Sequence, residues 1–120
     1  MLEAPPIDDD LIALAHHPGL IKRLRQSVPQ QGLTPLDLDT WMGPASLSGA
    51  LQAAGSVWQG VKDVTQSKAK RVFCAVRPPG HHAGPDVAQG ACFFNNVALA
   101  AKHVLAKFPD RIRKVLILDW

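Results

Sequence analysis

Tyrosine is absent from these 120 residues, and there are only two cysteines, Cys74 and Cys92. Two cysteines without CxxC spacing exclude a disulfide framework and a cysteine-built zinc knuckle, and they fit a reducing compartment. A cytoplasmic location is the expectation. No apolar run approaches the length of a membrane span. The opening stretch MLEAPPIDDD is acidic and has no apolar centre, so the chain is read as carrying no secretory leader. Neither sign of charge dominates: Lys and Arg total 13, Asp and Glu total 10, and the net charge is +3. The basic residues are spread over Lys22–Arg25, Lys68–Arg71 and Arg111–Lys114 rather than gathered in a stripe with interleaved aromatics. No nucleic-acid or membrane partner is expected; self-association is left open. Serine and threonine are missing from Arg77–Trp120, so that stretch offers no hydroxyl nucleophile, and the Cys92 thiol is its one alternative.

A hydrophobic share of 47% in this length describes one globular domain or part of one. Residues 1–7 read as a frayed lead-in. Asp8–Asp10 supply acids to the start of a short helix that reaches about Ala15. Pro18 opens a second helix to Arg25, with Leu20, Ile21 and Leu24 facing inward. His16 and His17 fall at the break between the two helices and read either as a solvated helix end or as the rim of a site. Ser27–Thr40 is irregular, punctuated by Pro29, Gly32 and Pro35. In it Asp37 and Asp39 alternate with Leu36 and Leu38, either as a short edge segment or as an acidic rim able to receive a substrate amide. Asp39 by itself serves equally well as a helix cap. A long helix is expected over Pro44–Val64, with Leu47, Ala50, Leu51, Ala54, Trp58 and Val61 on its apolar face. Trp58 reads as a core residue.

Val72–Val76 (VFCAV) and Val115–Leu118 (VLIL) are continuous apolar runs of strand length, the pattern of strands covered on both faces. Between them Asn95 or Asn96 caps a helix whose inner stripe is Val97, Ala100, Ala101, Val104, Leu105 and Phe108; Lys102, His103 and Lys107 face solvent in this reading. The order strand, loop, helix, strand predicts an α/β fold with a parallel sheet and flanking helices, closed by a right-handed crossover. The loop Arg77–Asn96 (RPPGHHAGPDVAQGACFFNN) has three prolines and three glycines around the pair His81–His82. It follows the C-terminal end of the first strand, and Asp119 sits at the C-terminal end of the second. Ligands in open α/β sheets bind outside those ends. The topology therefore brings a carboxylate beside two imidazoles, and a carboxylate bonded to an imidazole N–H sets its tautomer and raises its basicity. That is an acid/base arrangement. The alternative is that Asp119 caps a loop and both histidines bond to backbone. His81, His82, Cys92 and Asp119 do not make a zinc site by spacing, because adjacent histidines diverge from the backbone and Cys92 reads as packed beside Phe93 and Phe94.

Three stretches carry a family resemblance: Arg77–Ala83 (RPPGHHA), Gly90–Ala101 (GACFFNNVALAA) and Arg111–Trp120 (RIRKVLILDW). Asp39–Gly55 and Asp9–Arg25 fit more loosely. Together they resemble the zinc-dependent histone deacetylase superfamily, closest to its class II members and to bacterial histone deacetylase-like and acetylpolyamine amidohydrolases. The resemblance implies an arginase–deacetylase α/β fold, incomplete here. It implies hydrolysis of N-acetyl-lysine or related N-acyl amides, with an acetylated protein, an acetylpolyamine or a small acyl-amide as substrate. By that likeness His82 is the general base, and His81 its electrostatic partner held by Asp119. Asp39 is the rim group for the substrate backbone, and Gly90 and Ala91 are the tunnel wall. Zinc is the family's cofactor, with potassium at the Asp119 backbone carbonyl. Four departures accompany the likeness. Ala91 stands where the family usually has Phe. The Asp-x-His-His-Gly that normally follows ILDW, with its metal ligands, is not present. The transition-state tyrosine is missing, as is the strand-bearing N-terminal segment. The chain thus resembles the N-terminal part of one deacetylase domain over residues 1–120, truncated before the zinc ligands. It is expected to act as a fragment of such an enzyme, inactive alone, or as a non-catalytic remnant or interaction module.

Overall fold

The computed structural model describes residues 3–120; Met1 and Leu2, the start of the expected lead-in, lie outside the described residues. Four helices and one small hairpin follow in order. They are α1 (Asp9–Ile12), α2 (Pro18–Gln26), β1 (Thr34–Pro35), β2 (Trp41–Met42), α3 (Ser46–Thr65) and α4 (Asn96–Lys107). The lead-in is docked rather than frayed. Ile7 is buried and its N–H donates to the Leu51 carbonyl at 3.0 Å. Gly55 lets it approach, since a Cβ there would run into the Pro5 carbonyl and the Ile7 amide.

Helix α1 carries Asp9 and Asp10 in its first turn, where they face the positive end of the helix. The Asp9 carboxylate also takes both guanidinium arms of Arg25, at 2.6 and 3.2 Å, tying α1 to α2. Helix α2 begins at Pro18, whose missing N–H costs nothing at that position, and the His17 ring caps it by accepting from the Gly19 N–H. Leu20, Ile21 and Leu24 are buried as their spacing requires. The hairpin pairs Thr34 with Met42 and Pro35 with Trp41. Its loop closes on the Thr40 carbonyl, which accepts from the amides of Leu36 and Asp37. Met42 points into the core and Trp41 out.

Helix α3 matches its expected span to within two residues and buries Leu47, Ala50, Ala53 and Ala54. Small residues let α4 lie close against it. Trp58 packs on the edge of the core, and its ring meets the ring of His103 edge-on at 5.4 Å. Helix α4 is rotated from the expected register. Asn96, Leu99, Ala100, His103 and Val104 are buried, while Val97 and Leu105 are exposed. His103 is therefore an interior residue, not a surface one. Burial lowers its pKa, and the nearby positive charges of Lys107 and Lys62 lower it further. The expected stripe omits Leu99, which is buried, and includes Leu105, which is exposed, while the Trp58–His103 contact draws an imidazole inward.

The parallel sheet is the part of the expected fold that the structure does not bear out. Among the described residues the one two-stranded ladder is the antiparallel hairpin β1–β2. Neither Val72–Val76 nor Val115–Leu118 is paired as a strand, so the expected parallel sheet and its crossover are not formed. Both runs lie against the helical layer on one side only. Val72 and Cys74 touch the bare face of α3 at Gly60, and burial raises the Cys74 thiol's pKa. Val115–Leu118 cover a cavity of about 480 Å³ floored by Val61, Val97 and Val104. Their other side is open: Phe73 and Leu116 are each 90% exposed. Continuous hydrophobicity was read as two covered faces; here one face is covered and the other has nothing against it.

Candidate functional site

The histidine loop is shaped by backbone fit. A Cβ on Gly80 would stand 2.6 Å from the Asn96 amide nitrogen and the Phe94 carbonyl, so only glycine lets the start of the loop lie on the start of α4. Gly90 has φ +60°, and a Cβ there would press into the His82 ring at 2.6 Å. Gly90 thus forms a flat seat for His82. Ala91 follows with φ +59°, a left-handed conformation seldom adopted by a residue bearing a Cβ.

Side chains from other elements then hold the loop. The Gly90 N–H donates to Asp39 Oδ1 at 3.0 Å, and the Ala91 N–H donates to Thr40 Oγ1 at 3.0 Å. Thr40, fully buried, donates its own hydroxyl hydrogen bond to Asp39 Oδ1. Gln89 Nε2 donates to the His82 carbonyl at 2.9 Å. Cys92 is buried with its Sγ turned to the Gly90 carbonyl, which puts it in the floor of the loop and out of reach of a substrate. On the other flank the His17 N–H donates to the Pro85 carbonyl at 2.7 Å, and Arg23 donates to the Asp86 carbonyl.

For His16 the structure favours the site-rim alternative. It is no solvated helix end: 3% exposed, its ring bonds to the Gly84 carbonyl and to the Asn95 N–H. Nothing in the local pattern decides this, because both partners are distant in sequence. Thr40 and Gln89 were missed for the same reason.

His81 and Asp119 meet. His81 Nδ1 lies 2.9 Å from Asp119 Oδ2, close enough for an ion pair, with both side chains about half exposed. Asp119 reaches this position without belonging to a strand. The His81 and His82 rings lie edge to face, with centroids 4.1 Å apart. They serve different spaces. His81 and Asp119 border the cavity under Val115–Leu118. His82 borders a separate, open pocket of about 260 Å³ with Asp37, Asp39, Gln89 and Gly90. Ala91 is exposed beside Gly90. An imidazole held by a carboxylate, next to a second imidazole facing an acid-rimmed pocket, can accept and return a proton.

A metal does not fit the donor set. Among the described residues no three His, Cys, Asp or Glu side chains gather where an ion could be held. The Cys92 sulfur, the softest donor nearby, is committed to the Gly90 carbonyl.

A family model described as the histone deacetylase domain matches residues 1–120. The chain is 43% identical over 75 residues to histone deacetylase HDA1 of Saccharomyces cerevisiae, covering 62% of this chain and 11% of that protein. It is 33% identical over 117 residues to a histone deacetylase-like amidohydrolase of Pseudomonas aeruginosa, covering 98% of this chain and 30% of that protein. Among solved structures, the crystal structure of the HDA15 HD domain superposes with a TM-score of 0.83 at 30% identity, over 89% of this chain and 30% of that one. The chain thus spans between about a tenth and a third of the length of these relatives.

Proposed function

The chain belongs to the histone deacetylase domain family, and from that premise we propose that it is part of a deacetylase that hydrolyses N-acetyl-lysine or a related N-acyl amide. The observation that carries the reading is the 2.9 Å approach of Asp119 Oδ2 to His81 Nδ1, with His82 beside it at an open pocket. In this reading His82 takes the proton of the water that attacks the acyl carbonyl and returns it to the departing amine. His81, oriented by Asp119, steadies the positive charge that His82 gains. Asp39 has Oδ1 engaged by Gly90 and Thr40, leaving Oδ2 at the rim for a substrate backbone amide. Gly90 and Ala91 form the wall along which the acyl-bearing chain enters. The small Ala91 side chain leaves that wall wide, which suits an acetylated protein, an acetylpolyamine or a small acyl-amide alike. A cytoplasmic setting belongs to the same proposal.

The family is generally zinc-dependent; zinc polarises the acyl carbonyl and acidifies water. Among the described residues no donor set gathers to hold such an ion, and the potassium contact proposed for the Asp119 carbonyl does not replace it. His82 by itself is a base without an electrophilic partner. We expect the 120-residue chain to show no turnover of acetyl-lysine peptides, with or without added zinc. Turnover abolished by His82→Ala would mean that the chain is an enzyme in its own right.

The second reading is a non-catalytic remnant or interaction module of the same family. One tightly bound zinc ion per chain in a titration would sink that reading, whereas no binding is expected of a fragment and a remnant alike. The buried Cys92 sulfur gives no support to a thiol nucleophile.

A further inference from the structure

We propose that His16 is a positioning residue of this site: one buried imidazole clamps both ends of the excursion that follows the His81–His82 pair. The proposal rests on reading that pair as the site of chemistry. His16 Nδ1–H donates to the Gly84 carbonyl at 2.9 Å, two residues beyond His82. His16 Nε2 accepts the Asn95 N–H at 2.8 Å. Asn95 is where the loop returns; its side chain caps α4 by accepting from the Ala98 N–H at 3.0 Å and donates to the Ala83 carbonyl at 3.3 Å. The departure and return of the loop thus converge on one ring. The Phe94 ring meets His16 edge-on at 5.7 Å and closes it from solvent.

The chemistry of the clamp is specific. The ring must donate from Nδ1 and accept at Nε2, so it is the neutral Nδ1–H tautomer. Burial pushes its pKa below the ordinary value, in keeping with a neutral ring. A hydrophobic residue of equal size would fill the space and leave a part-buried carbonyl and a part-buried amide without this partner. A glutamine can imitate the pattern, with its amide nitrogen donating to Gly84 and its amide oxygen accepting from Asn95. Asn95 also links the two ends, through its bond to the Ala83 carbonyl, but from within the loop itself.

Hydrogen exchange read by mass spectrometry on the full chain at low micromolar concentration tests this, together with the rate at which diethyl pyrocarbonate modifies each histidine. In the unaltered chain His16 should resist modification. His16→Phe should raise exchange across residues 83–95 and the modification rate of His81 by about tenfold, while α2 and α3 keep their protection. His16→Gln should restore both readouts to near their original values. Leu24→Ala, a core truncation in α2 outside the clamp, should raise exchange in α2 without singling out the loop. The proposal is overturned if His16→Phe leaves the loop and His81 unchanged, if His16→Gln fails to rescue, or if Leu24→Ala loosens the loop as much. None of these readouts involves turnover, so failure here removes the role of His16 and leaves the deacetylase reading to its own test.

Discussion

Gly90 and Ala91 are neighbours with nearly the same left-handed backbone, φ +60° and +59°, yet they have opposite tolerances. Gly90 lies against the His82 ring, so Gly90→Ala combines an unfavourable φ with a collision. It should cost about 1–2 kcal/mol from the backbone alone and shift His82 besides. Ala91→Gly relieves the same conformation at an exposed position and should be neutral or stabilising by up to about 1 kcal/mol. Urea midpoints of the two variants check this; equal effects would mean that the loop tolerates a Cβ at either place. Much of the site at this scale was legible. The pair His81–His82 and the carboxylate at Asp119 stood out as residue types in a Gly- and Pro-rich setting. That His16, Thr40 and Gln89 hold the loop was not legible, because each acts through backbone groups brought near only by folding.

The helices depend on two buried histidines, His16 between α1 and α2 and His103 between α4 and α3. Burial lowers the pKa of both, with Lys107 and Lys62 adding to the effect at His103. A depressed folded pKa means that the unfolded chain takes up the proton first. Both residues therefore contribute stability that is complete above the unfolded value of about 6.5 and is lost as pH falls through the lower folded values. Denaturation midpoints should be flat between pH 8 and 7 and should fall below about pH 6.5. His103→Gln should remove part of that slope. A midpoint that rises on acidification would contradict this assignment. Apolar periodicity found α2, α3 and α4, and the Asn95 cap of α4 was legible, whereas the Asp39 cap expected for α3 binds the Gly90 amide instead. Periodicity failed on the facing of α4, since a period through apolar residues cannot foresee that an aromatic partner will take a histidine in place of Leu105.

The whole molecule has a well-covered helical side and an open apolar side. Phe73, Leu116, Leu118 and Trp120 stand largely free of contacts, and neither Val72–Val76 nor Val115–Leu118 has a strand neighbour. Unpaired apolar segments of this kind invite pairing with other chains. We expect the isolated chain to associate or precipitate as concentration rises, and Phe73→Lys with Leu116→Lys to delay it. Light scattering against concentration measures this, and a monomer with a sharp, reversible melt at high concentration would refute it. Local chemistry alone determined several things about this protein: where helices start and stop, since caps and prolines act within a few residues; that a glycine-bound loop carries two imidazoles; and that strand-like runs flank it. Only the tertiary structure decided the rest. The His81–Asp119 ion pair, the His16 clamp and the inward turn of His103 each depend on a partner far along the chain. A strand is completed by hydrogen bonds to a neighbour, and no pattern within a single run can supply that neighbour.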